Sequence, residues 1–231
     1  MCGRFVRKST ITVIEDEFDI YEIQWASEPS YNIAPGQDVA CVATNGGNRL
    51  IKCRWGFIPF WAEDESIGYK MINARAETVA QKRSFSRAFQ QHRCLVVADG
   101  FYEWKKLEDK KFKIPYYFHL RSDRPFGFAG LYGTWKSKDG KVLTTCTIIT
   151  TKPNKLMVPI HNRMPAIVPS EQRAMWLDRN IQDPDVLLPL LQPYTAEEMA
   201  VYEVSRAVNS PKFDEPDCIK PVTSFKQDSL M

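Results

Sequence analysis

The residue with the most distinctive chemistry in this 231-residue chain is Cys2. We expect the initiator Met1 to be removed, because the residue that follows it is small. The thiol then shares one carbon skeleton with a free α-amine, whose ordinary pKa of about 7.7–8.0 leaves it substantially neutral near pH 7–8. Such an amine condenses with an aldehyde. The thiol, with an ordinary pKa of about 8.5, can add to the imine carbon and close a thiazolidine ring.

Two other interpretations of Cys2 stay open from its position alone. Its thiol can serve as an acyl-transfer nucleophile in a cysteine peptidase or self-processing N-terminal hydrolase, with His161 as the base. It can also be an N-terminal residue without a catalytic role. The first interpretation alone requires an aldehyde substrate and a free amine.

Composition and charge restrict the class of protein. With 44% hydrophobic and 12% aromatic residues, the chain has enough apolar material for a sizeable core, which excludes a disordered or fibrous protein. No apolar run approaches the roughly 18 residues of a membrane span, and no apolar signal region follows Met1, so we expect a soluble cytoplasmic protein. Residues 49–124 hold 16 basic and 9 acidic residues, a net of +7. This segment suits an anionic partner, or else forms a solvated face beside acids elsewhere.

The six cysteines and three histidines are spread along the chain without zinc-ligand spacing. We therefore predict no metal site and no cofactor. Four cysteines lie in strand-like runs and are interpreted as small buried thiols: Cys41, Cys53, Cys94 and Cys146. His92 and His119 have no chemical context and are interpreted as structural.

Most of the predicted secondary structure is extended. Asn45-Gly46-Gly47 predicts a hairpin turn between two strands. The predicted strands are Val39–Thr44, Arg49–Phe57, Cys94–Ala98, Phe101–Trp104, Pro115–Leu120, Phe126–Trp135 and Val142–Thr151. Turns are expected at 108–111 and 137–140, and the Pro-rich stretch 28–36 is interpreted as an ordered loop.

Helical patterns are short and lie between or beyond the strands. Ser9 is a candidate cap for a helix that contains Ile11, Ile14 and Phe18. Further helices are predicted over Phe85–Gln90, Glu171–Leu177 and from Pro184 to Leu191. Closely spaced strands favour antiparallel pairing, so the predicted fold class is α+β: one domain over 1–231, with a mainly antiparallel curved sheet or partial β-barrel and peripheral helices.

Six segments carry a resemblance to a known family. They are Met1–Phe5 (MCGRF), Tyr31–Pro35 (YNIAP), Ile72–Thr78 (INARAET), Ala98–Lys105 (ADGFYEWK), Ile160–Pro165 (IHNRMP) and Val204–Asn209 (VSRAVN). In this order and spacing they closely resemble the SRAP family of SOS-response-associated peptidases, the abasic-site processing proteins. The resemblance spans about residues 2–210 and leaves 211–231 as a tail that packs on the domain. It implies a covalent link between Cys2 and the open-ring aldehyde of an abasic site in single-stranded DNA.

Three residues of these segments suit that chemistry beside Cys2. Asn73 carries an amide that can orient the sugar or the Cys2 amine, although a lone Asn is usually a capping or turn residue. Glu103 lies between Tyr102 and Trp104, and strand alternation places it opposite those rings, where a carboxylate can shuttle protons. The alternative is an exposed strand residue paired with a nearby cation.

The third, His161, lies in the segment between Pro159 and Pro165, and imidazole is well suited to proton transfer near neutral pH. A lone His is more often structural, and the family pattern favours the catalytic role. The family often has an acid after this His, where the present chain has Asn162, so we do not expect the next residue to orient the imidazole by charge.

Four residues are candidates for DNA binding. Arg4, Arg75 and Arg83 lie in or next to the family segments and suit phosphate contacts. Trp61 is a candidate wedge or stacking platform for bases, whereas Trp55, inside a strand, is interpreted as a core residue. Arg163 and Arg206 match family positions, but each can simply hold a loop through an internal ion pair.

The sequence therefore predicts a monomeric protein that binds single-stranded DNA and captures an abasic site reversibly through Cys2, with Asn73, Glu103 and His161 as catalytic residues. A peptidase or self-processing hydrolase and a non-enzymatic single-strand binding module are the alternatives.

Overall fold

The computed structural model describes residues 2–107 and 112–222, which form two sheets and four short α-helices. The predicted turn at 108–111 lies outside the described residues. The strands are β1 (Phe5–Arg7), β2 (Ile20–Ile23), β3 (Ser30–Ile33), β4 (Asp38–Thr44), β5 (Asn48–Trp55), β6 (Asn73–Arg75), β7 (Arg93–Ala98), β8 (Gly100–Lys106), β9 (Lys113–Leu120), β10 (Phe126–Lys136), β11 (Val142–Thr151), β12 (Met164–Pro165), β13 (Ile167–Val168) and β14 (Met199–Glu203). The α-helices are α1 (Ile11–Phe18), α2 (Ser86–Gln91), α3 (Arg173–Leu177) and α4 (Pro184–Leu187).

The larger sheet closes on itself. Its strands run in the order β11-β10-β7-β4-β5, all antiparallel, and β5 then pairs in parallel with β11 at Thr145 and Cys146. Strand β6 also pairs in parallel with β11, so that Asn73 lies beside Ile148. The prediction of an α+β fold built on a mainly antiparallel curved sheet or partial barrel is confirmed.

The longest hairpins follow directly from local sequence. Strands β4 and β5 pair from Asp38↔Arg54 to Thr44↔Asn48 around the predicted turn, where Gly46 and Gly47 have φ of +76° and +151°. Only glycine adopts such values without strain, so the turn fixes the register of the hairpin. The turn at 137–140 joins β10 and β11 in the same way.

The smaller sheet has the order β14-β9-β8-β1-β3. Strand β1 is an interior strand: it pairs with β8 through Phe5↔Phe101 and with the edge strand β3 through Phe5↔Ile33. The prediction that 28–36 is a loop is wrong over Ser30–Ile33, which is β3. A strand of four residues is too short to show alternation, and its extended form depends on pairing with β1.

Buried apolar side chains form three hydrophobic cores. One core lies between the barrel interior and the smaller sheet and contains Phe5, Phe101, Phe128 and the predicted core residue Trp55. A second lies between the outer barrel face and the helices. The third, on the far face of the smaller sheet, takes Tyr102 together with Val208, Phe213 and Cys218 from the C-terminal segment. Phe213, Cys218 and Ile219 thus pack on the sheet, while residues 223–231 of the predicted tail lie outside the described residues.

Two local differences concern capping and helix type. Helix α1 is present as predicted, but its N-cap is Thr10, while Ser9 bonds to the Asp99 carboxylate instead. Both C-terminal helices are partly 3₁₀, over Ser170–Gln172 and Leu188–Leu190. No helix within the described residues is long and apolar enough to cross a lipid bilayer.

Candidate active site

Cys2 lies buried between the two sheets, immediately before β1. It is 0% exposed and packs in the same core as Phe5, and its Sγ atom lies 4.0 Å from the carbonyl oxygen of Arg4. Burial, and then the negative charge of Glu103, raise the pKa of the Cys2 thiol far above its usual range. The thiol is therefore protonated at neutral pH, and a base must take its proton before sulfur can act as a nucleophile.

Asn73 holds the main chain of Cys2 in place. Its Nδ2 atom donates a hydrogen bond of 2.8 Å to the carbonyl oxygen of Cys2, across 71 positions of sequence. Pairing of β6 with β11 fixes the position of Asn73. The next residue, Ala74, packs in the core between the barrel and the helices. The Oδ1 atom of Asn73 is buried and accepts no hydrogen bond from the described residues. This amide therefore presents an acceptor in the immediate surroundings of Cys2.

Glu103 comes from the neighbouring strand β8 and is buried, with only 3% of its surface exposed. Phe101 packs in the core that contains Cys2, whereas Tyr102 and Trp104 pack on the opposite face of the sheet. Strand alternation therefore directs Glu103 to the Cys2 side, opposite the two rings, as predicted. Because Glu103 is buried, the alternative of an exposed strand residue is wrong.

The N-terminal strand sets the alignment of Cys2 with Glu103. The amide of Tyr102 donates 3.0 Å to the carbonyl oxygen of Arg4, and the Phe5↔Phe101 pair continues this register. The chain from Arg4 back to Cys2 consequently runs alongside Glu103. The effect of the Glu103 charge on the Cys2 thiol follows from this register.

His161 ends a turn that is part of the same core. Met157 and Ile160 of this turn pack in the core with Cys2, and the amide of His161 bonds to Met157 O at 2.9 Å. The Nδ1 atom of His161 lies 3.1 Å from the amide nitrogen of Arg163. The same Nδ1 atom lies 3.2 Å from the carbonyl oxygen of Arg163, so the main chain of Arg163 holds the imidazole in place.

A salt bridge joins two of the family segments. The two terminal guanidinium nitrogens of Arg163, Nη1 and Nη2, donate to the Glu77 carboxylate at 2.6 and 2.9 Å. The Arg163 guanidinium also donates to Thr150 O at 2.5 Å on β11. The prediction that Arg163 holds its loop through an ion pair is confirmed. This pair fixes the turn of His161 against β6, the strand of Asn73.

The candidate DNA-binding residues lie in different settings. Arg75 and Arg83 are exposed, and the Arg83 guanidinium lies 5.5 Å from the ring centre of Trp61, which is 38% exposed. Arg4 is partly buried instead. Its Nη1 atom donates to Asn32 Oδ1 at 2.7 Å and to Val208 O at 2.8 Å, so this guanidinium also anchors the C-terminal segment.

Asn32 is an organising residue that the sequence reasoning missed. It is fully buried, accepts from Arg4, and donates from Nδ2 to Ser210 O at 2.9 Å and to Phe213 O at 2.6 Å. It therefore ties strand β3 to the C-terminal segment behind Cys2. Its place in the Tyr31–Pro35 family segment was the available signal.

The structure brings together thiols that the sequence keeps apart. All cysteines of the chain are buried, as predicted for the four in strands. The sulfurs of Cys41, Cys53 and Cys146 lie within 4.8 Å of one another, and they are the one group of three potential metal ligands that residues 2–107 and 112–222 assemble. They come from β4, β5 and β11, and the cluster lies in the apolar core, where thiols pack as small hydrophobic groups.

Comparison with known proteins gives a consistent family assignment. The family model of the SOS response associated peptidase (SRAP) matches residues 1–211. The abasic site processing protein YoqW of Bacillus subtilis is 51% identical over 223 residues, which cover 95% of this chain and 99% of YoqW. The abasic site processing protein HMCES of Xenopus tropicalis is 29% identical over 84% of this chain and 67% of its own length.

Solved structures share the fold. A crystal structure of a protein from Bacteroides thetaiotaomicron superposes with a TM-score of 0.86 at 26% identity, covering 96% of this chain and all of that one. A phage-related protein from Bordetella bronchiseptica gives a TM-score of 0.70 at 27% identity, over 89% of this chain and 95% of that one. With the family model matching nine-tenths of its length, this chain belongs to the SOS response associated peptidase (SRAP) family.

Proposed function

We propose that this protein processes abasic sites: it binds single-stranded DNA and captures the open-ring aldehyde of an abasic site as a thiazolidine on Cys2, after removal of Met1. The observation that carries the proposal is the burial of Cys2 between Asn73, which holds its carbonyl, and Glu103, whose charge acts on its thiol. The names of the bacterial relatives, abasic site processing proteins at about half identity, support the same substrate.

The first step joins nitrogen to carbon. The neutral α-amine of Cys2 attacks the aldehyde carbon, and loss of one water molecule leaves an imine. His161 takes a proton from the attacking nitrogen and delivers it to the carbinolamine hydroxyl, which leaves as water. The Oδ1 atom of Asn73 accepts a hydrogen bond from the Cys2 amine and directs its lone pair toward the aldehyde.

The second step joins sulfur to the same carbon. Because the thiol is protonated, Glu103 takes its proton as the C–S bond forms, and the electron pair of the C=N bond moves onto nitrogen, which gains a proton. Amine and thiol are attached to one residue, so this closure benefits from a high effective concentration. The same groups reopen the ring in the reverse direction, which makes the adduct reversible.

The raised thiol pKa argues against the peptidase alternative. A cysteine peptidase attacks its substrate as a thiolate, and its sites lower the thiol pKa with a cation or a helix N-terminus. In this protein, burial and the Glu103 carboxylate raise the pKa of the Cys2 thiol instead. An imine intermediate tolerates a neutral thiol, because the thiol reacts after the amine and intramolecularly.

The strand approaches over Arg75, Arg83 and Trp61. The two exposed guanidiniums bind phosphates, and the Trp61 ring supports a base next to the abasic sugar, which requires no particular sequence. Arg4 contributes mainly through the Cys2 strand that it anchors.

A denaturing gel tests the proposal. The protein is mixed with a single-stranded oligonucleotide that contains one abasic site, and we expect a slow band that forms without borohydride and is absent in Cys2→Ala. Cys2→Ser retains the amine but closes the ring poorly, so its band should depend on borohydride, which traps the imine. Cys218→Ala, which removes a buried thiol of the C-terminal segment, is the matched control and should crosslink normally.

Two other results would contradict the proposal. Equal binding of intact and abasic oligonucleotides without any adduct would favour the binding-module alternative. Release of amino acids from a peptide in the absence of DNA would favour the peptidase.

A further inference from the structure

A cleft of about 450 Å³ opens beside Trp61 and has no role in the chemistry at Cys2. We call it the arginine cleft, and its walls include Phe57, Phe60, Arg83, Arg87, Tyr132 and Arg179. It adjoins the candidate DNA-binding residues: Arg83 lies in its wall and also against the Trp61 ring, and Phe60 in the same wall precedes Trp61 in the chain. A strand that lies over Trp61 and Arg83 therefore reaches this cleft next.

The cleft carries positive charge that the protein does not neutralise. Arg83, Arg87 and Arg179 are exposed, and no carboxylate of residues 2–107 and 112–222 lies within 4.0 Å of their guanidiniums. Other arginines are paired, as Arg163 is with Glu77. Three like charges, two from the segment of α2 and one that follows α3, repel one another, so an anion in the cleft is favoured electrostatically.

A neighbouring histidine lies in the field of these arginines. His92 lines the cleft and packs edge-on against Tyr132, with ring centres 5.4 Å apart. Burial, and then the charges of Arg179 and Arg87, lower the pKa of His92. His92 is consequently neutral at physiological pH and adds an aromatic surface rather than a fourth cation.

Exposed aromatic surface alternates with these cations. Phe60 is 63% exposed, with the Arg87 guanidinium 5.4 Å from its ring centre, and Arg83 lies over Trp61 in the same way. Rings that support bases, alternating with guanidiniums that bind phosphates, are the pattern of a single-strand binding groove. The volume falls in the range of small-ligand sites, which suits one nucleotide.

We propose that the arginine cleft binds an unpaired nucleotide on one side of the abasic site, with its base against Phe60 and its phosphate between Arg87 and Arg179. This inference rests on the proposed function and names a further part of the substrate. The neighbouring polar groups are the hydroxyls of Ser84 and Thr134, which donate to or accept from any base. The cleft therefore binds without sequence preference and determines which flank of the lesion must be single-stranded.

The test combines substrate length with substitution. Binding is measured by fluorescence anisotropy with single-stranded oligonucleotides that carry one non-reactive abasic analogue, a tetrahydrofuran residue, and are extended on the 5′ or the 3′ side only. Crosslinking is measured with the matching abasic oligonucleotides. For the wild-type protein we expect extension on one side to increase affinity at least tenfold. Arg87→Ala/Arg179→Ala should abolish that gain and reduce the salt slope by about 0.7 for each phosphate that the variant no longer binds. Crosslinking at saturating DNA should not change.

Arg124→Ala is the matched control. It also removes an exposed arginine, which precedes β10 outside the cleft and pairs with Glu17 at 2.5 Å. It should retain the gain on extension, and both variants should keep the melting temperature of the wild-type protein. A double variant with wild-type affinity for every length, or with an equal loss at every length and on both sides, overturns the inference.

Failure of the proposed function is a separate result. If the wild-type protein forms no adduct, the chemistry at Cys2 is wrong, and the anisotropy of the strands with the non-reactive analogue still tests the cleft. If adducts form but extension of neither flank increases the affinity, only the inference about the cleft is wrong.

Discussion

Replacement of Asn73 by alanine tests the positioning of Cys2 most sharply. The substitution removes the 2.8 Å hydrogen bond to the Cys2 carbonyl and leaves that buried carbonyl without this donor. The loss of a hydrogen bond of this kind costs about 1–3 kcal/mol when a buried partner stays unsatisfied. If the whole cost falls on the reacting geometry, crosslinking slows by about 5-fold to 150-fold.

The same loss should appear in stability. For a protein of this length, a cost of 1–3 kcal/mol lowers the melting temperature by about 2–12 °C, at roughly 2–4 °C for each kcal/mol. The assays are the single-turnover rate of adduct formation on a denaturing gel and a thermal melt. The rate is measured at saturating DNA and well below the melting temperature.

Asn162→Ala is the control for this substitution. Asn162 is exposed and follows His161, so its removal changes an asparagine near the site without touching Cys2. We expect a rate within twofold of wild type. An Asn73→Ala protein that crosslinks as fast as Asn162→Ala would refute the role given to the Asn73 amide.

Three further predictions concern proton transfer. Glu103→Gln should slow crosslinking by about 10²–10⁴-fold. It should also speed alkylation of Cys2 by iodoacetamide at pH 8, because removal of the negative charge lowers the thiol pKa. Glu203→Gln, at the exposed end of β14, should change neither rate, and slower alkylation in Glu103→Gln would contradict the assignment. His161→Ala should slow formation and reversal of the adduct by the same factor and leave the equilibrium yield unchanged, which a time course in both directions measures. The Cys2 thiol is protonated in the folded state, whereas it ionises above about pH 8.5 in the unfolded state. Its contribution to the free energy of unfolding is therefore complete below that pH and falls above it by up to about 1.4 kcal/mol per pH unit. In urea unfolding from pH 8 to 10, the free energy of unfolding should fall less steeply with pH in Cys2→Ala than in wild type, and equal slopes would contradict the raised pKa.

Sequence reasoning found the parts of the fold whose signal is local. The hairpin of β4 and β5 follows from a glycine turn between two long apolar runs, and Val142–Thr151 was predicted with the bounds that the structure has. Strands β1, β3 and β6 have three or four residues each and were missed. Their extended form depends on partners far along the chain, and no local pattern contains that information.

The candidate site likewise contains one residue whose position the local sequence predicts and others whose positions depend on distant strands. Strand alternation alone placed Glu103 opposite Tyr102 and Trp104. The bond between Asn73 and Cys2 depends on β6 joining the barrel through β11, and the cluster of Cys41, Cys53 and Cys146 depends on barrel closure. Cys2 is buried because the two sheets pack on the first residues of the chain, and no local pattern predicts that packing. This burial raises the thiol pKa above the ordinary value that the sequence alone suggests.

Intact-mass spectrometry of the adduct tests the central claim most directly. The protein reacted with an abasic oligonucleotide should have the mass of the chain without Met1, plus the oligonucleotide, minus one water. Proteolysis should then place the modification on the N-terminal Cys2, with both its amine and its thiol blocked. An adduct that retains Met1, that maps to a lysine, or that leaves the Cys2 thiol open to alkylation would contradict ring formation at this residue.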